Sequence, residues 1–116
     1  MEKFKLERRR EDEVEKIALF GYLENNGGME LKKSIDSRLQ EGILKFVINF
    51  QGIELISSPG VAALLDVGSR VIDDFDGRIS VYGIDQHHLA VLEMSGFFFL
   101  VTQAANEAEA IKQVRE

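Results

Sequence analysis

The chain contains no cysteine and only one proline among its 116 residues. Without thiols there is no disulfide framework and no thiolate nucleophile, and the cytoplasm is the default compartment for such a chain. Long apolar runs are also missing. The longest, Gly96 to Val101, has the length of a strand and falls far short of the roughly 20 residues of a membrane span. Met1-Glu2-Lys3-Phe4-Lys5 lacks the apolar core of a signal peptide, so no membrane insertion is expected. A basic surplus is lacking too, because the net charge is −6. The only basic run, Arg8-Arg9-Arg10, is followed at once by Glu11-Asp12-Glu13. It reads as the charged end of a hairpin rather than a phosphate-tracking patch, which excludes general nucleic-acid binding.

What is present is an ordinary globular composition, 45% hydrophobic and 29% charged, sized for one domain over residues 1–116. Phe4, Leu6 and Arg8 alternate, and Val14 to Phe20 forms a second extended run, which together predict an antiparallel hairpin. Residues Gly21 to Gly28 read as a loop rich in turn formers. Leu31, Ile35 and Leu39 then recur every four residues, one face of a surface helix that Gly42 stops. Ile43 to Phe50 is nearly continuous apolar, the pattern of a strand covered on both faces. Val61, Leu64, Leu65, Gly68, Ile72 and Phe75 mark the next helix face, which Asp73, Asp74, Asp76 and Gly77 terminate. Ile79 to Ile84 is a strand. Asp85 caps a short helix carrying Leu89, Leu92 and Met94, Phe97 to Thr102 is a further strand, and Glu107 to Arg115 a last helix with Ala108, Ile111 and Val114 inward. The order β-β-α-β-α-β-α-β-α predicts one α/β domain with a mixed, mostly parallel sheet and its first strand antiparallel at an edge.

The segment most telling for function is Gly52 to Ala62, where an apolar strand enters Ser57-Ser58-Pro59-Gly60 and then a helix. A residue before proline is pushed toward extended backbone, so Ser58 is expected as the N-cap and Pro59 as the first helical residue. A serine hydroxyl is thereby presented at the positive end of a helix, a favourable place to hold a phosphate.

Other chemistry finds little support. Gly27-Gly28 lacks the lysine and Ser/Thr of a P-loop and the spacing of a dinucleotide turn. His87 and His88 are adjacent, about 100° apart on a helix, and read as solvated residues rather than metal ligands. Asp73, Asp74 and Asp76 lack the spacing and terminal glutamate of a calcium loop. No nucleophile–base pair or cofactor motif stands out, so neither an enzyme, a metal site nor a cofactor is expected.

The run Val47-Ile48-Asn49-Phe50-Gln51-Gly52-Ile53-Glu54-Leu55-Ile56-Ser57-Ser58-Pro59-Gly60-Val61 resembles, without a gap, the "V-L-D-L-S-G-V-x-F-I-D-S-S-G-L" stretch of the STAS family, the bacterial anti-sigma factor antagonist domains. Gly21-Tyr22-Leu23-Glu24 is similar to that family's "G-x-L-D" before its first helix. The resemblance spans essentially the whole chain and agrees with the strand order. It implies a non-enzymatic regulator that binds an anti-sigma factor of the serine-kinase type and is released when that partner phosphorylates Ser58, with Ser57 as the alternative acceptor. The implied docking surface comprises Glu24, Asn25 and Asn26 of the first loop, the turn Ser57, Ser58, Pro59, Gly60 and Val61, and the following helix through Asp66. ATP would belong to the partner, and weak self-association is compatible with the reading. Asn49 and Ser57 stand where the family has aspartates, and Glu24 where it has a shorter acid. These departures keep a second outcome open: a constitutive STAS adaptor in a signalling scaffold or transporter complex, with purely structural serines.

Overall fold

A computed structural model describes residues 1–116, and every strand and helix expected from the sequence has a counterpart in it. Strands β1 (Lys5–Glu11) and β2 (Val14–Leu23) form the hairpin, with Glu11 paired to Val14 across a two-residue turn. Asp12 takes a left-handed conformation there, φ 53°, which a short polar side chain tolerates. Helix α1 (Asn25–Gln40) buries Leu31, Ile35 and Leu39, and each fully buried branched side chain contributes roughly 1.5–3 kcal/mol. Strand β3 (Lys45–Ile56) and helix α2 (Ser58–Ser69) follow, and a wider helical turn, Arg70–Asp74, finishes α2. Then come β4 (Arg78–Tyr82), α3 (Gln86–Ser95), the short β5 (Thr102–Gln103) and α4 (Glu107–Arg115).

The five strands lie side by side in sequence order. β1 is antiparallel to β2, and all later pairings are parallel. The alternation along β3 splits the core in two. Phe46, Ile48 and Phe50 join the large cluster formed with α1, α2 and α3, while Val47 points to the other face and packs with Val14, Tyr82, Ala110 and Val114 under α4. β3 is thus apolar on both sides because helices cover both sides of its first half.

Three elements of the fold depart from expectation. Residues Gly21 to Gly28 are not a loop: β2 runs through Leu23 and α1 begins at Asn25. Gly28 serves helix packing, since a Cβ on it would lie 2.6 Å from the Cβ of Ala63 in α2. Phe97 to Val101 is not part of a strand; β5 begins only at Thr102. Phe97–Phe99 form a tight helical turn, with the Phe99 N–H bonded to the Gly96 carbonyl at 3.0 Å. Only Thr102 and Gln103 pair with β4, so Phe97 is buried while Phe99 is 94% exposed. Finally, Ala108 and Met94 lie outside the core. α4 turns Ala110 and Val114 inward, and α3 contributes Leu92 as its buried anchor.

Candidate functional site

The C-terminal end of β3 passes beside the end of β2, where Leu23 pairs with Ile56 and the Ser57 N–H donates to the Leu23 carbonyl at 2.9 Å. The chain then turns into α2. Ser57, not Ser58, is the N-cap: its backbone is extended and its Oγ accepts the Gly60 N–H at 3.2 Å. Ser58 is the first helical residue and Pro59 the second, one position later than the preference of residues before proline suggests. Both positions tolerate proline, because a first-turn donor has no intrahelical partner to lose. The consequence is a division of labour. Ser57 is half-buried and committed to the cap, whereas Ser58 is exposed and makes no side-chain hydrogen bond.

The start of α1 lies against the same turn. Glu24 caps α1, its two carboxylate oxygens accepting the N–H groups of Asn26 and Gly27, each at 3.2 Å. Asn25 and Asn26 are exposed in the first helical turn, and Gly28 faces Ala63 of α2. Gly60 closes the other side, since a Cβ there would sit 2.3 Å from the Leu23 carbonyl oxygen. Two helix N-termini therefore stand side by side above the sheet. One is satisfied by a carboxylate, the other by a neutral hydroxyl with no acid in its first turn. Farther along, exposed Asp66 pairs with Lys32 of α1 at 3.4 Å, and Arg70 pairs with Asp36 at 3.1 Å. Such exposed pairs contribute about 0–1 kcal/mol each. Of the expected docking residues Gly60 is buried and offers the least free surface, while Val61 is half-buried against the core. Met29, 59% exposed at the same end of α1, adds an apolar group that the sequence pattern did not single out.

His88 is a second residue missed, and its expected solvation is a correction. The residue is only 4% exposed. Its Nε2 accepts the Ile56 N–H at 3.2 Å, and its Nδ1 lies 2.9 Å from Asp85 Oδ2. Accepting from Ile56 requires a bare Nε2, so the proton sits on Nδ1 and is donated to Asp85. Asp85 Oδ1 in turn accepts the His88 N–H at 2.9 Å, the cap bond of α3. These interactions, the backbone bond foremost, hold the Asp85 carboxyl below its ordinary pKa. A network two residues ahead of Ser58 thus fixes the end of β3. The readable signal was an acid at the N-cap with histidine three residues on. His87 remains exposed.

Asn49 has a different setting from the serines. It lies seven residues before Ile56, roughly 20 Å back along the strand at about 3.3 Å per residue. Its Oδ1 accepts the Gln51 N–H at 2.8 Å, and it faces the side of the sheet that α4 covers. There it helps line a cavity of about 560 Å³, together with Arg9, Lys16, Tyr82 and Glu107. That cavity is remote from the serine turn. No cluster of three or more His, Asp or Glu side chains is arranged to hold a metal ion, and no helix is long and apolar enough to cross a membrane.

No model of a known protein family matches the chain, and no curated protein sequence does. Solved structures do match. The anti-sigma factor antagonist SpoIIAA in its unphosphorylated form is 25% identical, with a TM-score of 0.73 over 97% of this chain and 98% of that one. The Bacillus cell fate determinant SpoIIAA in its phosphorylated form is 26% identical, with a TM-score of 0.72 over 97% and 100%. An anti-sigma factor antagonist from Mycobacterium paratuberculosis shares 14% identity and a TM-score of 0.84 over 98% and 96%. Over nearly its whole length, the chain carries the STAS fold of the SpoIIAA anti-sigma factor antagonists.

Proposed function

We propose that this protein is a docking switch whose partner, a serine-kinase-type anti-sigma factor, binds the paired helix N-termini and is released when Ser58 is phosphorylated. One observation carries the reading: the exposed hydroxyl and the structural hydroxyl are separate groups. Ser57 holds the cap, so Ser58 can be modified without dismantling the helix start. Magnitudes then decide the outcome. A phosphate brings about −1.5 to −2 charges, and an exposed helix N-terminus favours an anion by only roughly 0.3–1 kcal/mol. A like-charge contact introduced at a protein interface costs several kcal/mol. Modification should therefore leave the fold intact and expel an acidic or closely fitted partner. The position of Asn49 removes one argument for the adaptor alternative, because its change from aspartate lies far from Ser58. Ser57 supplies a cap as aspartate would.

The deciding experiment incubates the protein with the candidate partner kinase and labelled ATP, using Ser57→Ala and Ser58→Ala in parallel. Label incorporated into wild type and Ser57→Ala but not Ser58→Ala supports the switch. No incorporation, together with stable partner binding that Ser58→Glu leaves unchanged, favours the constitutive adaptor.

A further inference from the structure

Strand β1 is an open edge. Its seven residues pair with β2 on one side, and no backbone hydrogen bond beyond that ladder involves them. Its outer row of N–H and C=O groups is therefore free to receive another strand. The side chains along it, Lys5-Leu6-Glu7-Arg8-Arg9-Arg10-Glu11, are exposed except for the half-buried Leu6 and Glu11. Arg9 has no ion-pair partner within the chain, although Lys5 pairs with Glu7 at 3.2 Å and Glu11 with Lys16 at 3.3 Å. An edge rich in arginine normally discourages pairing, so the order of the charges decides whether a particular partner is allowed.

We infer that β1 pairs antiparallel with β1 of a second copy, about a two-fold axis at Arg8, giving a continuous ten-stranded sheet. Geometry narrows the choice. In an antiparallel ladder, directly opposed residues share a face and are either both hydrogen-bonded or both not. A two-fold axis through the ladder must then pass beside a residue, not between two. Centred on Glu7, the strand sets Lys5 against Arg9 and Glu7 against itself. Centred on Arg9, it sets Glu7 against Glu11 and Arg8 against Arg10. Centred on Arg8, it sets Lys5 against Glu11 and Glu7 against Arg9, each twice by symmetry. All four contacts are of opposite sign and lie on one face, and Arg9 gains the acid it lacks. The single like-charge meeting, Arg8 with its copy, is on the other face, where each guanidinium is drawn toward its own α1 by Ser34 Oγ at 3.2 Å. Opposed residues exchange about two main-chain hydrogen bonds per bonded pair. The contact buries less than the roughly 1,200 Å² of stable complexes, so the dimer is weak and salt-sensitive.

The inference stands apart from the switch. β1 runs antiparallel to β2 and β3, so the two-fold places the two serine turns at opposite ends of the joined sheet, both uncovered. One dimer can present two docking sites.

Sedimentation velocity across a concentration series tests this at low and high salt. Wild type should form a concentration-dependent dimer that dissociates when salt is raised to about 0.5 M, where the Debye length is near 4 Å. Arg9→Glu alone and Glu7→Arg alone should each weaken association by about tenfold or more, since each turns two attractive cross-strand pairs repulsive. An equimolar mixture of the two variants should dimerise again, because every 7–9 contact is then of opposite sign. Arg8→Cys provides the only thiol and should form a disulfide-linked dimer under mild oxidation, since opposed Cα atoms about 4.5–5.5 Å apart suit the bond. Arg10→Cys should not. A monomer at every concentration, a dimer indifferent to Arg9→Glu, or a mixture that stays monomeric overturns the proposal.

Discussion

The ring of His88 in α3 accepts the backbone N–H of Ile56 in β3 at 3.2 Å, although the two residues are 32 positions apart. This bond joins a helix that carries no part of the serine turn to the last residue before it. Replacing His88 with leucine leaves a part-buried N–H without an acceptor, which costs about 1–3 kcal/mol. Urea denaturation should show that loss, and His88→Gln, whose amide oxygen can accept, should recover part of it. If the bond also fixes the turn, His88→Leu will weaken partner binding at temperatures where the protein remains folded.

The two adjacent serines should behave differently in stability measurements. Ser57→Ala removes the N-cap acceptor of α2 and should cost about 0.5–2 kcal/mol. Ser58→Ala removes an exposed hydroxyl without a partner and should change stability by less than about 0.5 kcal/mol. Thermal or chemical unfolding of the pair checks this directly. Equal losses would mean that Ser58 shares the capping role.

Binding should show the opposite ranking. Ser58→Glu places a carboxylate at the first residue of α2, where the helix dipole favours it slightly. Its circular dichroism and unfolding midpoint should match wild type, while partner affinity measured by calorimetry falls by a factor of ten or more, about 1.4 kcal/mol. Unchanged affinity would argue that the docking surface lies elsewhere.

Most of the architecture was legible because the signals were periodic. Leu31, Ile35 and Leu39 announced α1, and the two-faced apolar run of β3 announced a sheet covered on both sides. The misreadings arose where one residue type has two uses. Gly27 and Gly28 look like turn residues, yet they let α1 lie close against Phe4 and against Ala63 of α2. Phe97-Phe98-Phe99 looks like a strand, but β4 has only five residues and offers β5 just two partners. At the site, the serine turn could be located by sequence, while its cap was shifted by one residue because proline is tolerated at two adjacent positions. The Ile56–His88 bond could not be foreseen, since no local pattern records a contact between distant elements.

Gly60 should be the least replaceable residue of the turn. A Cβ there would meet the Leu23 carbonyl at 2.3 Å and the Ile56 side chain at 3.0 Å. The carbonyl belongs to the backbone of β2 and already accepts the Ser57 N–H, so it cannot yield freely. Gly60→Ala should push α2 off the sheet end and cost about 1–3 kcal/mol, as overpacking does. Amide exchange should then quicken at Ser57 and at the start of α2. Protection equal to wild type would show that the turn can shift without loss.

Acid should weaken the same region through Asp85. The His88 N–H bond, opposed by partial desolvation and aided by the ring's Nδ1–H, holds this carboxyl below its ordinary pKa. A carboxyl depressed in the folded state adds stability that is fully present above its unfolded value. That stability is lost as pH falls through the lower folded value. The unfolded value is near 3.9, so the contribution should be intact at neutral pH and fade below about pH 4. Asp85→Asn keeps a capping oxygen but carries no charge, which isolates the titrating part. Urea midpoints should be higher for wild type than for Asp85→Asn at pH 7 and converge as pH falls below 4. A gap that persists unchanged to pH 2 would mean that the charge of Asp85 contributes nothing, and that the network acts through hydrogen-bond geometry alone.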